Sequence, residues 1–325
     1  LPPVLRLIDY RVYYKTLRGY VKAVDGVNLE VEKGEILGLI GESGCGKSTL
    51  IMSLIAPKPP MKIMGGKALL GETDLTALSP GERRKILLSK LSIIPQYALD
   101  ALPVIRRIKQ LLVDIAKEKK MSPDQVIEKF QERIRMVGLP REVINMYPLE
   151  LSGGMRQRVV IAISTMLSPD LLIADEPTSA LDVTTQRQVL ELLRDLRDTG
   201  IVRSLIFVTH DIASVRQIAD RIAVMYAGKI VEVSGTEEII HDPLHPYAKG
   251  LINAVPKLGI NYKKKRLKGL PGQPPSLLNP PPGCRFHPRC AVATRKCMVE
   301  EPPTTRIGSR IVSCWLYSGL GDEEK

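Results

Sequence analysis

A chain of 325 residues with 44% apolar and 25% charged residues has the balance of an ordinary globular protein, in one large domain or two smaller ones, and not of a disordered chain. Aromatic residues make up only 4%, so Leu, Ile and Val must fill the core. The net charge of +12 is compatible with nucleic acid, an anionic leaflet or a nucleotide as partner. The excess is densest in Lys263-Lys264-Lys265-Arg266 with Lys268, then Arg285, Arg289, Arg295 and Lys296. Without a series of aromatic stacking platforms there, single-stranded nucleic acid is disfavoured, and a solvated basic face near phospholipid is the simpler reading. No apolar run approaches the roughly 20 residues needed to cross a bilayer; Val159 to Leu167 is too short. Leu1-Pro2-Pro3-Val4 has neither the basic segment nor the apolar block of a secretory signal. The expectation is a cytoplasmic protein that reaches a membrane only through partners.

In chain order, Glu35 to Gly41 reads as a buried strand and Lys47 to Ile55 as the helix after it, stopped by Pro57, Pro59 and Pro60. From about Ala98 to Leu167 the pattern is mainly helical, with i, i+3, i+4 apolar spacing through Asp124 to Phe130. Strands are expected at Leu171–Asp175 and Ser204–Thr209, with a 3.6-period helix from Thr185 to Arg197 between them. Near His241 prolines begin to punctuate the chain (Pro243, Pro246, Pro256, Pro271 and onward), which forbids long helices. A boundary at about residue 240 therefore divides an α/β domain (1–240, helical part about 98–167) from a Pro-rich, Cys-containing extension (241–325). No internal repeat of solenoid period is present.

Gly41-Glu-Ser-Gly-Cys-Gly46-Lys47-Ser48 matches the phosphate-loop pattern between a strand and a helix. Glycines let the backbone wrap closely, so the N–H groups of Gly41, Ser43, Gly44, Cys45, Gly46 and Thr49 are candidates to face phosphate oxygens. Lys47 would hold the β- and γ-phosphates and Ser48 would offer a hydroxyl to Mg²⁺, with the helix dipole adding to both. Downstream, the apolar strand Leu171-Leu-Ile-Ala ends in Asp175-Glu176. Asp175 suits a hard cation, and Glu176 could orient or deprotonate the attacking water. An acidic pair after a strand is weak alone; after a phosphate loop it is specific.

Leu151-Ser152-Gly153-Gly154-Met155-Arg156-Gln157-Arg158, placed between these two motifs, resembles the signature of ABC-type ATPases, and the resemblance covers residues 5 to 240. It implies an ABC-type P-loop ATPase domain: a RecA-like core, an antiparallel β subdomain and a helical signature subdomain. It also implies roles. Gln96 resembles the glutamine that touches the metal and signals to the membrane subunit. Ser152, Gly153 and Gly154 would bind the ATP held by a second subunit, Ser179-Ala180-Leu181-Asp182 would cross the dimer interface, and His210 would contact the γ-phosphate. One of Tyr13, Tyr14 and Tyr20 would stack on adenine, and Tyr14 is favoured. Glu176, His210 and Lys47 form the catalytic set; Ser48, Gln96 and Asp175 form the Mg²⁺ set.

His245-Pro246-Tyr247, Gly269 to Leu277, and Gly283-Cys284-Arg-Phe-His-Pro-Arg-Cys290 resemble the extension of oligopeptide/dipeptide-type importer ATPases, a branch that includes oligosaccharide importers. The implied partners are a second, paralogous ATPase chain, two transmembrane permease subunits and an external binding protein, at the cytoplasmic face of the membrane. Tyr97 to Pro103 departs from the family pattern where the permease would dock. Cys284, Cys290, Cys297 and Cys314 offer four thiolates for Zn²⁺ or an iron–sulfur cluster. The resemblance points to [4Fe–4S]; zinc, free thiols or disulfides stay open. Cys45 is read as a small filler of the loop. A soluble non-transport ABC ATPase is the competing reading. The ribosome-recycling type has two cassettes and an N-terminal cluster, and the segment from Ser48 to Leu151 leaves no room for the coiled coil of the DNA-repair type.

Overall fold

The computed structural model describes residues 2–96, 101–179, 181–254 and 269–319. Two long strands, β1 (Leu5–Thr16) and β2 (Gly19–Val31), precede β3 (Ile36–Ile40), whose five residues are all buried, as an unbroken apolar run requires of a strand covered on both faces. Helix α1 (Lys47–Ile55) has the bounds read from the sequence and is capped at Ala56, ahead of Pro57. After β4 (Met61–Leu70), β5 (Thr73–Asp74), α2 (Pro80–Ile86) and β6 (Leu91–Ile94) the chain turns helical. That stretch holds α3 (Ile108–Lys119), α4 (Pro123–Met136) and α5 (Gly153–Thr165). Then come β7 (Leu171–Asp175), α6 (Val183–Asp198), β8 (Ser204–Val208), α7 (Ile212–Ile218), β9 (Arg221–Tyr226) and β10 (Lys229–Gly235). Among the described residues the tail holds short elements: α8 (Thr236–His241), α9 (Pro246–Asn253), α10 (Arg295–Val299) and the hairpin β11 (Thr304–Ile307) with β12 (Arg310–Ser313). The Tyr97–Asp100 part of the atypical segment, Ala180 and the basic run Lys263–Lys268 lie outside the described residues.

The chain forms two compact units. One comprises Leu1–Val4, Val31–Ile36 and Thr73–Phe207. Within it β6 and β7 run parallel, paired from Leu91↔Leu171 to Ile94↔Ala174. Helix α4 starts at a capping box, in which Ser122 Oγ accepts from Gln125 N and the Gln125 side chain accepts from Ser122 N. It buries Val126, Phe130 and Ile134, one face of the helix, and packs against both α3 and α5.

The other unit comprises Leu5–Glu30, Leu37–Glu72 and Val208–Lys325. Here β1 pairs antiparallel with β4 from Leu5↔Leu70 to Tyr14↔Met61, through a bulge between Ile8 and Val12. Strand β3 lies parallel to β9, β9 is antiparallel to β10, and β10 takes β12 on its far edge. The tail strand is fixed by Glu232, fully buried on β10, which accepts from the backbone N–H of Leu244 (2.9 Å) and His245 (2.7 Å) and pairs with Arg310 (3.4 Å). Burial still pushes its carboxyl above the ordinary value.

His245 caps α9: its Nδ1 accepts from Tyr247 N–H at 3.0 Å, which leaves the proton of the neutral ring on Nε2. Burial lowers its pKa to about 3. The unfolded chain protonates this histidine near pH 6.5, so the unfolded state binds the extra proton first, and stability falls as pH drops below that value toward the folded pKa. His245→Asn keeps an acceptor at the cap and removes the titration. Urea unfolding between pH 7 and 4 should show an acid-side slope larger in the wild type by about one proton per chain. Equal slopes would mean that the ring is not held neutral.

Candidate functional site

The loop from Gly41 to Ser48 joins β3 to α1. Gly41, Gly44 and Gly46 all have positive φ, at 156°, 77° and 114°. At Gly41 a Cβ would stand 2.2 Å from the Met225 carbonyl oxygen, and at Gly46 2.1 Å from that of Ala23. At Gly44 nothing lies within 4 Å. Lys47 is buried, and its ammonium donates to the carbonyls of Gly41 (2.7 Å) and Glu42 (3.2 Å), 3.7 Å from Cys45 Sγ. Cys45 is buried in the loop; Ser43, Gly44 and Ser48 are exposed. The first turn of α1 holds no acidic residue, so its positive end is not offset. The Tyr14 hydroxyl is 3.1 Å from Thr49 Oγ1 on α1. Tyr13 instead donates to Asp25 (2.5 Å) and lies against Tyr20, 6.4 Å between ring centroids. Tyr14 is thus the tyrosine of the three with a bond to the helix that follows the phosphate loop. Thr209 N–H bonds to the Leu39 carbonyl (3.2 Å), so exposed His210 follows directly at the carboxyl end of β3, where the phosphate loop begins.

Gln96 and Glu176 stand just past the carboxyl ends of the adjacent parallel strands β6 and β7, and Gln96 Nε2 donates to Glu176 Oε2 at 3.1 Å. Asp175 is buried as the last residue of β7. Glu176 has φ 46°, a left-handed backbone that a non-glycine residue holds only where its surroundings fix it. Ser179 Oγ donates to the Gln96 carbonyl (3.2 Å), and Gln157 in the signature helix donates to that of Pro177 (2.7 Å). The signature and the carboxylate loop are therefore directly bonded, a link that the sequence reading did not contain. Ser152 caps α5 by accepting from Met155 N (3.3 Å), with Gly153 and Gly154 in the first turn. Asp182 caps α6 through Thr185, whose hydroxyl holds its carboxyl below the usual range.

In the tail all four cysteines line one cavity of about 180 Å³, together with His245 and Trp315. Burial, with the neighbouring thiols of Cys297, Cys314 and Cys290, pushes the Cys284 thiol up to about 11; burial also raises Cys290 and Cys314. Among the described residues no group of three or more His, Cys, Asp or Glu is gathered around a single metal position.

The turn between Cys284 and Cys290 carries two buried arginines that sequence reading counted only as basic residues of a tail motif. Arg285 pairs with Asp25. Burial opposes that carboxylate, yet the Tyr13 hydroxyl, Lys229 and Arg285 hold its pKa below the usual range. Arg289 pairs with Glu42 inside the phosphate loop. The only sequence hint was Glu42, an acidic residue in a loop expected to hold phosphates. Close packing at Gly46 yields a test. Gly46→Ala should cost stability by about 1–3 kcal/mol from overpacking, with strain added, and abolish nucleotide binding. Gly44→Ala, with strain alone, should cost about 1 kcal/mol and leave binding measurable. Thermal unfolding with a fluorescent nucleotide titration checks both.

Two family models match the chain: ABC transporter at residues 24–179, and oligopeptide/dipeptide transporter, C-terminal region, at residues 231–297. The chain is 42% identical over 319 residues to the dipeptide transport ATP-binding protein DppD of Caldanaerobacter subterraneus subsp. tengcongensis, covering 97% of each. It is also 42% identical to the oligopeptide transport ATP-binding protein OppD of Bacillus subtilis, covering 96% of this chain and 88% of the other. Among solved structures, a dimeric bacterial ABC transporter cassette superposes with a TM-score of 0.62 at 27% identity, covering 71% of this chain and 98% of that one. The chain belongs to the ABC transporter ATP-binding family, among the members that carry the oligopeptide/dipeptide transporter C-terminal region.

Proposed function

We propose that this protein is the ATP-hydrolysing subunit that energises import of dipeptides or oligopeptides across the cytoplasmic membrane. The observation that carries the reading is 42% identity along 97% of the chain to a relative named as a dipeptide transport ATP-binding protein. The names of the relatives favour peptides over oligosaccharides as cargo. In this reading residues 1–240 are the ATPase domain and residues 241–325 an extension. No helix among the described residues is long and apolar enough to cross a membrane. In this reading the chain acts at the cytoplasmic face with a second ATPase chain, two permease subunits and an external binding protein.

The assigned roles follow from chemistry at each position. The phosphate loop from Gly41 to Thr49 takes the phosphates, with Lys47 against the β- and γ-phosphates, and Tyr14 stacks on adenine. Ser48, Gln96 and Asp175 are oxygen donors of the kind Mg²⁺ requires, and the buried carboxylate of Asp175 suits that charge. When bound there, Mg²⁺ would supply positive charge against the phosphates. Glu176 orients the attacking water and takes its proton, its side chain held by Gln96. His210 contacts the γ-phosphate. Ser152, Gly153, Gly154 and Asp182 meet the nucleotide of the second subunit, and closure excludes water.

The four tail cysteines line one cavity, and four thiolates are a donor set that a [4Fe–4S] cluster or Zn²⁺ can use; the resemblance of the tail favours the cluster. Cys284, Cys290, Cys297 and Cys314 would hold the cluster as a structural staple of this loop-rich tail. Raised thiol pKa values mean that binding must displace protons.

Glu176→Gln should lower phosphate release by at least about a hundredfold while ATP affinity is kept. Wild-type turnover in that variant would refute the assignment. For the tail, anaerobically purified protein should contain iron and acid-labile sulfide in equal amounts, and Cys290→Ser should lose both. Zinc alone, or no metal, would reject the cluster.

A further inference from the structure

The phosphate loop carries a negative charge of its own, Glu42, in a place whose work is to hold a polyanion. Left bare, that carboxylate would repel the phosphates through a short distance. Arg289 meets it with a two-pronged pair: Nη1 to Oε2 at 2.6 Å and Nη2 to Oε1 at 3.0 Å. The arginine side chain is 4% exposed, and each of its guanidinium nitrogens has a partner. Its Nε donates to the Pro271 carbonyl (2.7 Å), its Nη1 also reaches the Tyr226 hydroxyl (3.3 Å), and its guanidinium lies 5.7 Å from the Tyr226 ring centroid.

A second tail residue holds the same loop position from the backbone side. Glu42 N–H donates to the Tyr247 hydroxyl at 2.8 Å, while the carbonyl of the same peptide, that of Gly41, accepts from Lys47. Both ends of the Gly41–Glu42 peptide are therefore tied, one to the tail and one to the lysine. Tyr247, Tyr226 and Phe286 pack as one aromatic cluster, with centroids 4.5 to 5.5 Å apart, and that cluster backs the Arg289 turn.

We infer that Arg289 is a positioning residue of the nucleotide site: the tail turn between Cys284 and Cys290 neutralises Glu42 and sets the phosphate loop for ATP. This rests on the reading that residues 41–48 take the phosphates of ATP. Arg289→Gln leaves Glu42 unpaired and should weaken ATP affinity about tenfold, with kcat at saturation changed less than about twofold. Arg289→Lys keeps the charge without the fork and should fall between. The double variant Arg289→Gln/Glu42→Gln removes the bare carboxylate and should recover most of the lost affinity.

The experiment is an equilibrium titration of a fluorescent ATP analogue on the full chain, with thermal unfolding of each variant alongside. Arg310→Gln serves as the control, because its pairs with Glu232 and Asp242 include no residue of the loop. It should lower the melting temperature and leave affinity unchanged. Affinity of Arg289→Gln within twofold of wild type, an equal loss in Arg310→Gln, or no recovery in the double variant would each overturn the inference. Lys47→Ala separates it from the underlying reading: full affinity in that variant would reject the loop as the phosphate site and the inference with it, whereas a loss there beside an unaffected Arg289→Gln would reject the inference alone.

Discussion

A loop that wraps a polyanion must present bare backbone N–H groups, and to stay wrapped it must be held by atoms behind it. Gly41 and Gly46 meet this demand by resting against the carbonyl oxygens of Met225 and Ala23, closer than any side chain would allow. The end of β9 and the middle of β2 therefore form the back wall of the loop. The turn after β9 adds a bond from Gly228 N–H to the Cys45 carbonyl at 2.7 Å. Strand order in this unit follows from that arrangement: β9 must lie beside β3 for its carbonyl to face the loop.

Charge poses the second demand. Within each compact unit, charged groups assigned a role have defined partners. Lys47 is bound to loop carbonyls, Glu42 to Arg289, and Glu176 to Gln96. The left-handed backbone of Glu176 fits the same pattern, because a strained residue is kept only where its neighbours fix it. The tail, read by itself as a proline-rich appendage, contributes to the first of these demands through Arg289 and Tyr247. Its own anchor is buried Glu232, whose bonds to Leu244 N and His245 N start α9 in the right place.

Much of this architecture was legible where signals are local. Helix α1 and strand β7 have the bounds expected of them, since an apolar run bounded by Pro57 or by Asp175-Glu176 leaves little choice. Strands β1 and β2 were harder to read individually. The bulge between Ile8 and Val12 breaks the alternation of buried Leu5, Leu7, Tyr10 and Val12 in β1, and the resemblance implied an antiparallel β subdomain without naming its strands. Long-range polar pairs were not legible at all. Glu42 and Arg289 are 247 positions apart, and nothing in either neighbourhood names the other. The four cysteines lie in between: their number suggested a shared site, but only the folded turn after Gly283 shows them facing one cavity.

The central claim is that this chain is the engine of a membrane importer, and its company in the cell tests that most directly. The tagged protein would be purified anaerobically from native membranes in mild detergent, and everything that comes with it identified. Two multispanning proteins, a second ATPase chain and a binding protein loaded with peptide are the expected result. Ribosomal or purely soluble partners, with no membrane protein among them, would contradict the account and leave only an ATPase.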